Sequence, residues 1–143
     1  MVVYKITNKI NGKVYIGSTV NYERRMKEHK RLGFGSLKVS DFDTINEKTG
    51  RKHIGSLRQH SGLYLDMRLA ENGIVDFDFE IMAECSTKEE MLELENQYIL
   101  EYWDNSYNDL YTDRDKKVHS QYSKMGSKQW GMYKKLEKEI KTF

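Results

Sequence analysis

Asn11-Gly12 lies between two short runs rich in Val, Ile and Tyr, over residues 2–7 and 13–17. Asn-Gly flanked by β-prone residues is the strongest short-range hairpin signal, because both residues tolerate the left-handed backbone that a tight reversal needs. The chain has no proline, so its turns must rely on Gly and Asn. A hairpin at this end commits the fold to an antiparallel strand pair. Any even-length loop puts Tyr4 and Tyr15 on one face of that pair, together with Lys13 and Gly17, since strand side chains alternate.

Apolar spacing predicts a helix over 21–32. Residues 33–59 hold four glycines and no sustained period, and read as a long irregular insertion of the kind that is usually functional or disordered. A second helix over 61–71 stops at Asn72-Gly73. Phe77, Phe79, Ile81 and Ala83 alternate with mostly polar residues, as in a strand. Ser86 or Thr87 caps a third helix running to about Tyr102. Beyond residue 112 the chain is polar and basic, with Trp130, Tyr133, Leu136 and Ile140 forming the apolar stripe of a last helix. The order predicts a small α/β domain over 1–112, a three-stranded, mainly antiparallel sheet flanked by helices. A basic helical tail over 113–143 follows.

The 143 residues suffice for one domain with a real core. No apolar run exceeds four residues, which excludes a membrane-spanning helix. The first residues show no apolar stretch of signal-peptide length. Cys85 is alone, so neither a disulfide framework nor a Cys-rich zinc site is available. The expectation is a soluble protein of a reducing compartment. The net charge of +2 conceals a segregation: residues 1–60 carry +8, residues 61–112 carry −11 and residues 113–143 carry +5. A basic first half suits an anionic partner, of which nucleic acid is the commonest. Mutual neutralisation of the halves is the plainer alternative.

Polar residues on apolar helix faces need a reason. At about 100° per residue, Glu95 falls inside the stripe formed by Met91, Tyr98 and Tyr102, with Leu94 and Ile99 on its flanks. Glu89 and Glu93 point away. An ionised carboxylate there is costly unless paired or metal-bound. Arg25 and His29 lie on the inward side of the first helix with Tyr22, Met26 and Leu32, while Arg24, Lys27 and Lys30 point outward. An Arg25–Glu95 pair with a capped core histidine satisfies these residues. So does a phosphate clamp beside a hard-metal ligand and a base, because a guanidinium matches phosphate oxygens. Tyrosines on strands are ordinary core residues, yet two phenols, an Arg, a His and a Glu are also the makings of one catalytic cluster.

Val2-Val3-Tyr4, ten residues, then Tyr15-Ile16-Gly17 resembles the GIY-YIG nuclease family, with Val2 standing where the family has a glycine. Arg25 and His29 in the run from Tyr22 to His29 match the Arg and His of the family's helix. Glu95-Asn96 resembles its metal-binding Glu, and Tyr107-Asn108 its closing Asn motif. His60-Ser61 is similar to a step seen in phage-type homing members. The resemblance covers about residues 1–110. It implies an endonuclease that hydrolyses double-stranded DNA with Mg²⁺ or Mn²⁺ on Glu95. Arg25 would bind the scissile phosphate, Tyr4 would act as general base, and Tyr15 and His29 would position the water or relay its proton. Asn108 and Gly17 would order the site. Lys13, His60, Lys134 and Lys135 are candidate DNA contacts, and the tail a possible DNA-binding arm. A small basic member looks most like a phage or mobile-element enzyme, working in the host cytoplasm without a membrane.

Overall fold

A computed structural model describes residues 1–121 and 126–141; the parts of the expected tail at 122–125 and 142–143 lie outside the described residues. Two compact units emerge, one of residues 1–26 and 75–121, the other of residues 27–74 and 126–141. Among the described residues, no helix is long and apolar enough to cross a membrane.

In the first unit, β1 (Val2–Asn8) and β2 (Val14–Thr19) form the expected hairpin. Its loop is longer than a two-residue turn. The Asn8 N–H donates to the Lys13 carbonyl and the Gly12 N–H to the Asn8 carbonyl, both at 2.8 Å. Gly12 takes a φ of +75°, which glycine adopts without penalty. Four residues, an even number, separate Asn8 from Lys13, so Tyr4 faces Gly17 and Ile6 faces Tyr15 across the ladder. All four side-chain positions lie on one face. β5 (Phe77–Glu84) pairs antiparallel with β1, giving the strand order β2-β1-β5.

A register shift in β5 sets Val3 opposite Ala83 but Tyr4 opposite Ile81. The extra residue, Met82, breaks the simple alternation: Ala83 turns to the opposite face from Phe77, Phe79 and Ile81. Against the face of Val3 and Ile16 packs α4 (Lys88–Glu101), through Met91 and Ile99, with Leu94, Tyr98 and Tyr102 alongside. Each such aliphatic side chain removed from water contributes roughly 1.5–3 kcal/mol. Thr87 caps α4, its hydroxyl accepting from the Glu90 N–H at 3.1 Å. Two strands too short to show a period, β6 (Leu110–Thr112) and β7 (Val118–Ser120), pair beyond it.

The helix α1 (Tyr22–Phe34) starts in the first unit and ends in the second. Asn21 caps it, accepting from the Arg24 N–H at 3.1 Å. Its last carbonyls are capped from a distance. The Arg68 guanidinium donates to Leu32 at 2.9 Å and to Gly35 at 2.7 Å, satisfying groups that a helix end otherwise leaves orphaned.

The segment over 33–59 is ordered rather than irregular. It holds a short turn of helix at Val39–Asp41 and a two-stranded hairpin, β3 (Thr44–Ile45) with β4 (Lys52–His53). The helix α2 (Ser56–Gln59) follows, then α3 (Ser61–Leu69). Phe42 and Leu57 are fully buried, and Gly55 passes so close to the Asp41–Phe42 backbone that a Cβ would overlap it. Asp41 receives both Arg31 amines at 2.8 Å and the Lys38 N–H at 2.7 Å. The last helix, α5 (Ser127–Lys141), buries Tyr133 of the expected stripe, with Leu136 and Ile140 half-buried and Trp130 exposed. Tyr133 is 1% exposed and meets the Phe42 ring at 5.5 Å. Gln129 donates to Asp66 at 2.6 Å.

Burial alone raises the Asp41 pKa, but the Arg31 hydrogen bonds, the Lys38 N–H and the nearby positive charge outweigh it and hold the carboxyl below its usual value. A carboxylate depressed in the folded state stabilises fully above its unfolded pKa, about 3.9. That contribution is lost as pH falls through the folded value. Thermal melting of the wild type should therefore drop more steeply below about pH 4 than that of Asp41→Asn. Parallel acid profiles would show that Asp41 does not anchor the segment.

Candidate active site

β1 and β2 deliver Tyr4 and Tyr15 side by side, ring centroids 6.2 Å apart and tilted by 50°. Tyr22, the first residue of α1, sets its edge against Tyr4 at 6.1 Å. Nearly one turn later Arg25 hydrogen-bonds the Tyr15 phenol, which is also bonded to Tyr4. Burial pushes the Tyr15 phenol above the ordinary tyrosine value. The charge of Arg25 opposes that shift and the charge of Glu95 adds to it. Tyr15 therefore stays protonated near neutrality, its oxygen accepting from the Arg25 guanidinium and from the Tyr4 phenol.

Gly17 is opposite Tyr4, and a Cβ there would overlap the Tyr4 phenol. Tyr4 is almost fully buried and has little room to retreat. Gly17→Ala should displace the phenol and reduce cleavage by an order of magnitude or more. Backbone conformation places no such demand at this position. A Gly17→Ala enzyme cutting at the wild-type rate would show that Tyr4 tolerates displacement.

Glu95, on α4, is half-buried and accepts a hydrogen bond from the Ser18 hydroxyl. Burial raises its pKa, and the Ser18 bond recovers part of the shift. Of the two ways to satisfy Glu95 and Arg25, the structure does not use a mutual bond: Arg25 bonds Tyr15, and Glu95 bonds Ser18. Ser18 escaped the sequence reading because the strand pattern marks it only as facing away from Tyr15. The residue after Glu95 anchors the helix. The Asn96 amide donates to the Thr112 carbonyl at 2.6 Å and accepts from the Thr112 N–H at 2.8 Å.

Asn108 makes the same two-point contact with β2. Its Oδ1 accepts from the Ile16 N–H at 2.9 Å and its Nδ2 donates to the Ile16 carbonyl at 2.8 Å. Ile16 lies between Tyr15 and Gly17, so one buried amide fixes the strand where both site residues leave it. The Tyr107 N–H, donating to the Val14 carbonyl at 2.7 Å, continues the contact.

Tyr4, Tyr15, Gly17 and Arg25 thus come together in the first unit, with Asn108 gripping the same strand at Ile16 and Glu95 bonded to Ser18 on the strand's other face. The second unit holds His29 and His60 around one residue. His29 is fully buried, its Nδ1 sharing a 2.7 Å hydrogen bond with the Tyr64 hydroxyl. The His60 ring meets Tyr64 edge-on at 6.0 Å. His60 stands just before α3, its carbonyl accepting from the Tyr64 N–H at 3.1 Å, and no periodicity in the sequence marks Tyr64. Among the candidate DNA contacts, Lys13 lies over the Tyr107 ring at 5.4 Å and Lys134 over Trp130 at 4.8 Å. Lys135 is exposed.

Residues 1–108 match the family model of the GIY-YIG catalytic domain. The chain belongs to the GIY-YIG nuclease family. As a GIY-YIG endonuclease it carries the family's Tyr-bearing hairpin on β1 and β2, in a three-stranded antiparallel sheet. Among solved structures it is similar to the catalytic domain of the homing endonuclease I-TevI: 28% identical, over 75% of this chain and 95% of that one, with a TM-score of 0.50. A mutant of the catalytic domain of intron endonuclease I-TevI also matches, at 28% identity over 74% of this chain and 89% of that one, with a TM-score of 0.41. Comparison with curated proteins finds no match. The β6–β7 hairpin and α5 lie past the end of the GIY-YIG match.

Proposed function

We propose that this GIY-YIG endonuclease hydrolyses phosphodiester bonds of double-stranded DNA with a divalent metal, Mg²⁺ or Mn²⁺, held by Glu95, and that it is of the homing type. The observation that carries the reading is the grouping of Tyr4 and Tyr15 on one face of the hairpin, ring centroids 6.2 Å apart, with Arg25 bonded to the Tyr15 phenol. Arg25 binds the scissile phosphate. Its planar fork matches two phosphate oxygens, and its fixed charge offsets the negative charge that builds in the transition state.

Glu95 fits a hard cation. It offers carboxylate oxygens with one hydrogen bond from Ser18, leaving lone pairs available. Among the described residues no group of three or more His, Cys, Asp and Glu side chains is placed to hold a metal. A single carboxylate suits Mg²⁺, which commonly takes one or two carboxylates and completes its shell with substrate phosphate and water. Such an ion supplies Lewis acidity at the phosphate and stabilises the leaving oxygen.

Tyr4 takes the proton of the attacking water. A free tyrosine, with a pKa of about 10, is a poor base near neutrality; positive charge nearby favours its ionised form. Tyr15, kept protonated, positions the water or relays its proton; His29, its ring fixed by Tyr64, carries the same two candidate roles. Gly17 and Asn108 hold the hairpin in place. Lys13, His60, Lys134 and Lys135 contact DNA, and the basic tail over 113–143 is an arm on its backbone. The reading extends to a phage or mobile-element enzyme acting in the host cytoplasm. Supercoiled plasmid incubated with and without Mg²⁺ tests it. Nicking only with the metal is expected. DNA retained but uncut under both conditions would make the protein a binding module that has lost catalysis.

A further inference from the structure

The second unit contains a cleft of about 530 Å³ between α5 and the β3–β4 hairpin. Four cations line it, Lys52, Arg58, Lys134 and Lys141, against two carboxylates, Asp43 and Glu137. The pairings are loose. Asp43 lies 3.6 Å from Lys52 and 3.7 Å from Arg58, and Glu137 lies 3.7 Å from Lys134 and 3.3 Å from Lys141. Close charge-assisted hydrogen bonds run at about 2.7–2.9 Å, so none of these cations is bound tightly to a carboxylate, and two positive charges are in excess. The buried Tyr133 hydroxyl belongs to the same cleft. Its neighbours there, the Asp43 backbone N–H and the Arg58 guanidinium, are both donors, and among the described residues the Tyr133 O–H finds no acceptor. Buried polar groups are normally satisfied, and an exception calls for a ligand or another reason.

Excess positive charge, convergent amines and an unspent hydroxyl donor suit an oxyanion. A volume of this size falls in the range of ligand sites, enough for a phosphate with its attached sugar. The lining offers nothing planar and unoccupied on which a base would stack: Arg58 and Lys134 already cover the Trp130 ring.

We propose that this cleft seats a backbone phosphate of the DNA substrate and anchors the duplex without reading its sequence. The inference rests on the DNA-endonuclease reading above. It adds Lys52, Arg58 and Lys141 to the binding surface and gives Lys134 a defined place in it. Phosphate contacts of this kind position a protein on DNA and carry no base information.

The test is the salt dependence of duplex DNA binding by the full chain, followed by fluorescence anisotropy in EDTA so that nothing is cut. Each phosphate contact contributes roughly 0.9 to the slope of log affinity against log salt. Lys52→Gln with Lys134→Gln should flatten the slope by about one to two units, with weaker binding at low salt on two unrelated duplex sequences alike. Lys52→Arg with Lys134→Arg should restore it. Lys48→Gln with Lys88→Gln removes the same charge from exposed positions outside the cleft and the tail and should leave the slope near wild type. An unchanged slope in the first pair, or an equal loss in the second, overturns the proposal. If wild type nicks plasmid while the cleft pair keeps its slope, the cleft assignment alone fails. A wild type that neither binds nor nicks duplex DNA brings down the DNA reading and the cleft together.

Discussion

Arg25→Ala is expected to slow single-turnover cleavage by a hundredfold or more, on the scale of losing one preorganised donor, while DNA affinity changes by only a few fold. The guanidinium is held by its bond to Tyr15, so it needs no rearrangement when charge develops on the phosphate. An interaction stronger in the transition state than in the ground state shows in the rate rather than in binding. Arg25→Lys keeps the charge and loses the fork, so it should recover only part of the rate. Arg24 is the internal control. It is exposed on the outer face of α1, and Arg24→Ala should weaken binding at most. Equal catalytic losses at the two positions would mean that the inward phase of Arg25 is not what matters.

Glu95→Gln should abolish metal-dependent cleavage and leave the protein folded. Ser18 can donate to the amide oxygen as it does to the carboxylate, and no guanidinium loses a partner, because Arg25 bonds Tyr15 instead. Removing one member of a truly buried ion pair costs about 3–5 kcal/mol; here the melting temperature should stay close to wild type. Mn²⁺ titration should show weakened binding in the variant. Wild-type nicking by a folded Glu95→Gln protein sinks the metal assignment. A large loss of stability with normal metal binding would return Glu95 to a structural role.

What was legible in the sequence was local. Asn11-Gly12 announced the hairpin, and the phase of α1 placed Arg25 and His29 inward against Arg24, Lys27 and Lys30. The stripe of α4 singled out Glu95 among its neighbouring acids for the same reason. The rest depends on contacts between distant residues. Asn108 grips Ile16 across 92 positions, and nothing in its neighbourhood marks it as the substitute for a strand. Arg68 caps α1 from another helix. The segment over 33–59 has strands of two residues, shorter than any detectable period, and its order comes from Phe42, Leu57 and the Arg31–Asp41 pair. The alternation in β5 ran true until Met82, where a bulge invisible to periodicity turned Ala83 over. The apolar stripe of α5 was plain, but its partner Phe42 lay in the segment without a pattern.

The two-point grip on Ile16 bears on how this molecule behaves in a crowded solution. β2 is an outer strand, and the open side of an outer strand is a template on which another chain can add itself and begin an aggregate. Here Tyr107 occupies the outward carbonyl of Val14, and Asn108 occupies both outward groups of Ile16. The border is closed by the Tyr107 backbone and the Asn108 amide rather than by a full further strand. An enzyme that must keep its hairpin open to a long polymer thereby avoids offering the same hairpin to its own copies.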